Sequence, residues 1–131
     1  MDISSIASTS AEIIDYHSKR MEVALKNLSK DGLIVQGAAT KEVVSISNSP
    51  FESFLNGTSI ESKIRTTSAN VGIQHNPEHP SADSDGNVKV YDMNQSELVT
   101  EALESYRMYE TNIRALGLYN KMILKSFEIG K

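Results

Sequence analysis

Apolar residues recur at alternating steps of three and four at both ends of this chain, and that spacing is the heptad seam of a long packed helix. At the N-terminal end the seam runs through Ile3, Ala7, Ser10, Ile14, His17, Met21, Ala24 and Leu28, with Ile6, Ile13 and Leu25 widening it. At the C-terminal end it runs through Val99, Ala102, Tyr106, Tyr109, Ile113, Leu116, Asn120, Ile123 and Phe127. Asn94 with Glu97 three residues on has the spacing of a capping box, and Gly32 and Gly130 stand where helices stop. Gly117 inside the second helix predicts a close packing neighbour or a slight bend. Helices from about 3 to 30 and from about 95 to 128 would be roughly 40 and 50 Å long. A compact chain of 131 residues is only about 36 Å across. The helices overshoot a globule, so the pattern points to assembly with other subunits.

Between the helices the periodicity changes. Gly37, Asn48-Ser49-Pro50, Asn56-Gly57, Asn76-Pro77, His79-Pro80 and Asp85-Gly86 punctuate short runs. Strands are expected at Glu42–Ser47, Ser59–Arg65, Val71–Gln74 and Asn87–Tyr91, with Asp85-Gly86 as a hairpin turn. The expected fold class is therefore α+β: two long terminal helices forming an antiparallel, coiled-coil-like pair around a small β-rich insert. The segments are 1–32, 33–93 and 94–131.

Composition narrows the chemistry. No cysteine is present, which removes disulfide scaffolds, zinc fingers and thiol catalysis. A net charge of −4 without a basic arm argues against a nucleic-acid partner. The longest apolar runs are three residues, so no direct membrane insertion is expected, and no Sec-type signal is visible at the start. His75 and His79 have the spacing of helical metal ligands, but Pro77 and Pro80 deny them a helix. Ser81–Asp92 imitates a calcium loop yet begins with Ser and ends with Asp in place of the bidentate Glu. No nucleophile motif or phosphate-binding loop occurs, so neither catalytic residues nor a cofactor is expected.

Three stretches carry a family resemblance. Ser18–Leu28, with Arg20, Met21, Asn27 and Leu28, and Ser105–Lys131, with Arg107, Tyr109, Asn112, Met122, Leu124, Lys125 and Gly130, resemble the two ends of bacterial flagellar basal-body rod proteins. Asn76–Val90, with Pro80, Ala82, Asp83, Gly86 and Val88, is similar to the signature that precedes the last helix in the proximal-rod, FlgC-type members. The resemblance implies a structural subunit and no enzyme. Such a subunit would leave the cytosol through the flagellar type III export apparatus without a cleaved signal peptide. In the periplasm it would polymerise with copies of itself and other rod subunits, and its terminal helices would form a tube around the export channel that transmits torque. The expected assembly interface is Ile14, Met21, Asn27, Leu28, Tyr106, Tyr109, Asn112, Ile113, Leu116 and Ile123. The alternative from another class is a cytosolic helical export chaperone or adaptor, which would also carry long amphipathic helices.

Overall fold

The computed structural model describes residues 3–130 and leaves aside the side chains of residues 3–5 and 54, so the seam position at Ile3 and the terminal Lys131 lie outside the described groups. Along the chain the elements are α1 (Ile3–Lys30), β1 (Thr40–Ile46), α2 (Pro50–Asn56), β2 (Ser62–Ser68), β3 (Val71–His75), β4 (Asn87–Tyr91) and α3 (Gln95–Ile129). Both long helices stand where the heptads place them. α3 starts because the Asn94 side chain accepts the Glu97 backbone N–H at 3.2 Å, which satisfies one of the free donors of the first turn. α1 stops at Gly32, which takes the left-handed φ of 73° and donates its N–H to the Tyr91 carbonyl at 3.0 Å.

The two long helices pack chiefly against each other. Asp31, just past α1, accepts from the Met93 backbone N–H and the Gln95 side chain, while Arg20, further back, reaches Glu101 and Glu104. The buried apolar set is small: Val23, Ala24, Ile60, Val88, Met93 and Ala102. Small side chains dominate where the helices meet, and Ser105 is fully buried among them.

The insert contains two separate antiparallel two-stranded sheets, β1 with β2 and β3 with β4. β1 lies along α1 because Asn27, only 3% exposed, uses its side-chain amide as a third strand would. Its Nδ2 donates to the Glu42 carbonyl at 2.7 Å and its Oδ1 accepts the Glu42 N–H at 3.0 Å. Glu42 stands opposite Thr66 in the ladder, and Asn27 takes up the backbone groups that would otherwise be left on the open edge of β1.

Three details of the insert differ from the sequence expectation. β2 begins three residues later than Ser59, because Ile60 is not a strand residue but a buried plug whose N–H donates to Glu12 of α1 at 2.7 Å. The turn at Asn48-Ser49-Pro50 opens a helix, α2, with a complete capping box between Ser49 and Glu52 and proline in its first turn. Asp85-Gly86 is not a two-residue hairpin, since β3 and β4 are joined by the long loop 76–86.

That loop is held by its own polar groups. The Asp83 carboxylate accepts the backbone N–H of Asp85 and of Asn87, and the Asn76 N–H reaches the Gly86 carbonyl at 2.8 Å. Gly86 has φ of 77°, and a Cβ there would meet Pro77 Cβ at 2.9 Å and His75 at 3.0 Å. Both conditions require glycine. Gly86→Ala is expected to lower stability by about 2 kcal/mol in a urea titration, combining left-handed strain with the clash. Asn27→Ala is expected to lower it by roughly 2 kcal/mol, because two part-buried backbone groups of Glu42 lose their partner.

Candidate assembly surface

α3 is a helix with two apolar seams and one helix from its own chain to cover them. The covered seam runs through Leu98, Ala102, Ser105, Tyr109, Asn112, Leu116, Tyr119 and Ile123, all buried or half-buried. It shares Ala102, Tyr109, Leu116 and Ile123 with the expected one. At the alternate positions Ser105, Asn112 and Tyr119 replace Tyr106, Ile113 and Asn120. The reason is steric: the fully buried Ser105 lets the helices approach, whereas a tyrosine at that point would hold them apart. Hydrophobic periodicity missed Ser105 and Asn112 because both are polar. Smallness, seven residues apart from other covered positions, was the signal available.

The second seam is turned roughly 90° around the helix from the first. It consists of Val99, Leu103, Tyr106, Ile113 and Leu124, all exposed, and it continues to Phe127 at 69% exposure. Gly117 lies on this seam, and a Cβ there would meet nothing within 4 Å. The packing neighbour expected of Gly117 is therefore not found among the described residues. Arg107, Arg114, Lys121 and Lys125 form a basic stripe beyond that seam, on the side of α3 away from α1; Arg114 pairs with Glu110 at 2.6 Å.

Among the other expected interface residues, Ile14, Met21 and Leu28 on α1 are half-buried and Asn27 is spent on β1. Asn112 donates back to the Met108 carbonyl of its own helix at 2.7 Å. Arg20 is held between the helices by Glu101 at 3.3 Å and lies over the Tyr16 ring. His17 sits beside it with a buried Nδ1 that has no hydrogen-bond partner. Burial first, and then the Arg20 charge, pull the His17 pKa below its ordinary value of 6.5, with Glu104 opposing them.

The motif residues of the loop act on the backbone. Asp83 is occupied by two N–H groups, Ala82 donates its N–H to the His79 carbonyl, and Val88 is buried near the start of β4. Pro80 is exposed at the loop surface. His75 bonds Asn87 and His79 accepts the Ser81 N–H, so the two rings serve the loop separately. Among the described residues no group of three acidic, histidine or cysteine side chains could hold a metal ion. No helix among them is long and apolar enough to cross a membrane. Met122, Leu124, Lys125 and Gly130 are exposed near the end of α3, which closes on Gly130 at φ of −82° instead of a left-handed cap.

Compared with curated proteins, the chain is 28% identical over 137 residues to the flagellar basal-body rod protein FlgC of Buchnera aphidicola subsp. Baizongia pistaciae, with all of both chains covered. No family model matches it.

The His17 environment makes helix pairing sensitive to acid. With the packed-state pKa depressed, histidine costs nothing above its ordinary value of 6.5, and pairing weakens as pH falls from there through the packed-state pKa. Circular dichroism between about pH 7.5 and 5 should show helicity or its thermal midpoint falling, and His17→Gln should flatten that dependence.

Proposed function

We propose that this chain is a structural subunit of a bacterial flagellar basal-body rod, of the proximal type, and not an enzyme. The observation that carries the reading is the second apolar seam of α3, whose residues Val99, Leu103, Tyr106, Ile113 and Leu124 stay exposed among the described residues. A helix with two seams roughly 90° apart is what a tubular wall needs, since each wall helix touches a partner on either flank. The similarity to a rod protein over the full length of both chains supports the same reading, as do the loop residues Asp83 and Gly86, whose roles here are backbone roles.

On this reading residues 1–32 and 94–131 are the wall-forming helices, paired antiparallel, and 33–93 is a β-rich module carried on the outside. The wall surrounds the export channel and transmits torque. Its partners are other rod subunits and the type III export apparatus through which the chain passes, without a cleaved signal peptide, to the periplasm. Tyr106 and Ile113 face a neighbouring subunit, while Tyr109, Asn112, Leu116 and Ile123 face α1. Pairing of α1 and α3 with each other comes first, and neighbours then cover the second seam.

The test is Ile113→Asp, which strands a charge in the proposed interface. Because Ile113 is exposed in the single chain, its stability should change by no more than about 0.5 kcal/mol. Rod incorporation and swimming should fail while the protein is still made and exported. Normal swimming would refute the seam.

A further inference from the structure

We propose that the open edge of β3 pairs with β3 of a second copy of this chain, antiparallel about Ile73, so that two β3–β4 hairpins join into one sheet. The contact belongs to the insert and goes beyond the assembly reading, which uses the helices. Its basis is the parity of the β3–β4 ladder. At one end of the ladder the Asp92 N–H donates to the Asn70 carbonyl at 3.1 Å, and at the other the Asn76 N–H donates to the Gly86 carbonyl at 2.8 Å. With Val71 opposite Tyr91 and His75 opposite Asn87, those two bonds make Gly72 and Gln74 the residues bonded to β4. The N–H and C=O groups of Val71, Ile73 and His75 therefore point away from β4. Among the described residues nothing bonds those backbone groups.

The other strand edges are occupied or guarded. β1 gives outward groups to Asn27 and Lys30. The outer side of β4 is taken by the stretch after α1, where the Val35 N–H donates to the Lys89 carbonyl and the Tyr91 N–H to the Leu33 carbonyl. On β2 the Ser62 carbonyl accepts from Lys19, and Lys63 and Arg65 put charge along the rest of the edge. β3, by contrast, reads Val71-Gly72-Ile73-Gln74-His75, with no lysine, arginine, acid or proline to blunt it, and Ile73 is 77% exposed. An occupant has to bring free outward backbone groups, an apolar side chain opposite Ile73 and no charge beside it. Of the strands in the described chain only β3 itself meets all these conditions, which selects a second copy. Turned about a two-fold axis, Ile73 meets Ile73 of the partner subunit and Val71 meets the partner's His75. Each such pair exchanges N–H···O=C bonds, because all of these residues are outward ones. Like surfaces join, so the contact closes as a dimer and adds no length to an array built through α3. Pairing of two short strands is a small interface, and the expected dimer is weak, with a Kd on the order of 0.1 mM.

Sedimentation velocity and amide hydrogen exchange on the full chain, from about 10 µM to about 1 mM, test the pairing. The sedimentation coefficient should rise with concentration toward that of a dimer. Over the same range the amides of Val71, Ile73 and His75 should become protected, while those of Gly72 and Gln74, already bonded to β4, change little. Ile73→Glu and Ile73→Lys, each made alone, set like charges against one another across the axis and should weaken association at least tenfold. An equimolar mixture of the two should recover it, because unlike charges then meet. Ile73 is exposed in the single chain, and circular dichroism on each variant checks that the fold is kept. A parent that stays monomeric throughout the range, outward amides whose exchange ignores concentration, or association unchanged by both variants would each overturn the pairing. So would a synthetic peptide of residues 70–76 that protects those amides in a parent that does not dimerise, since the edge would then take a foreign strand and not a second copy. The seam on α3 is tested separately. If Ile113→Asp abolishes swimming and no dimer forms at β3, only the edge pairing falls; if the dimer forms and Ile113→Asp swims normally, only the assembly reading falls.

Discussion

The last turn of α1 and the two residues after it hold four groups that each bond a different part of the chain, and the rest of the molecule is arranged around them. The Asn27 amide takes β1 by its Glu42 backbone, and the Lys30 ammonium reaches the Thr40 carbonyl. The Asp31 carboxylate takes the Met93 N–H and the Gln95 side chain, and the Gly32 N–H takes the Tyr91 carbonyl. The insert thus leaves α1 and returns to α3 at the same place. Hydrogen bonding to Gln95, then to Met93, holds the Asp31 carboxyl below its ordinary pKa, so the tie is made by the ionised form. With the insert closed there, α1 and α3 are brought side by side, and along its remaining length α1 is tied to the insert through Lys19, Lys26 and Glu12.

A consequence is that the chain is well supplied with directional bonds at one end and poorly supplied with apolar burial elsewhere. Among the described residues six apolar side chains are buried, while α3 alone exposes Val99, Leu103, Tyr106, Met108, Ile113, Leu118, Met122, Leu124, Phe127 and Ile129. A single monomeric domain seldom leaves so much contiguous apolar surface wet. The hydrogen-bonded hub fixes geometry without much burial, and the proposed assembly would supply the burial that the single chain lacks. Polar atoms left without partners at the helix interface, Ser105 Oγ and His17 Nδ1, fit the same balance, in which close approach is favoured over full satisfaction.

Much of the fold was legible because helices and caps are local. The two long helices, the Asn94 cap and the Gly32 stop all follow from spacing and residue type within a few positions. The helix α2 was equally legible, since Ser49-Pro50-Phe51-Glu52 carries a capping box with proline in the first turn, but the same residues also read as a turn. The start of β2 was not legible. Ile60 looks like a strand residue until Glu12, forty-eight positions away, takes its N–H. The candidate surface was half legible: periodicity found Ala102, Tyr109, Leu116 and Ile123, and assigned Tyr106 and Ile113 to the same seam.

By itself the sequence determined that this chain has two long amphipathic helices too extended for a globule and a polar, turn-rich insert between them. It did so because a period of about 3.6 residues and the chemistry of caps are written in neighbouring residues. Only the tertiary structure decided which of the two apolar stripes of α3 faces α1. The covered stripe carries Ser105 and Asn112 where the other carries Tyr106 and Ile113, so hydrophobicity pointed to the larger residues, whereas the small buried Ser105 lets the helices come together where Tyr106 would not. Likewise Asn27 could have faced a neighbour or its own chain, and the proximity of Glu42, fifteen residues on, settled it.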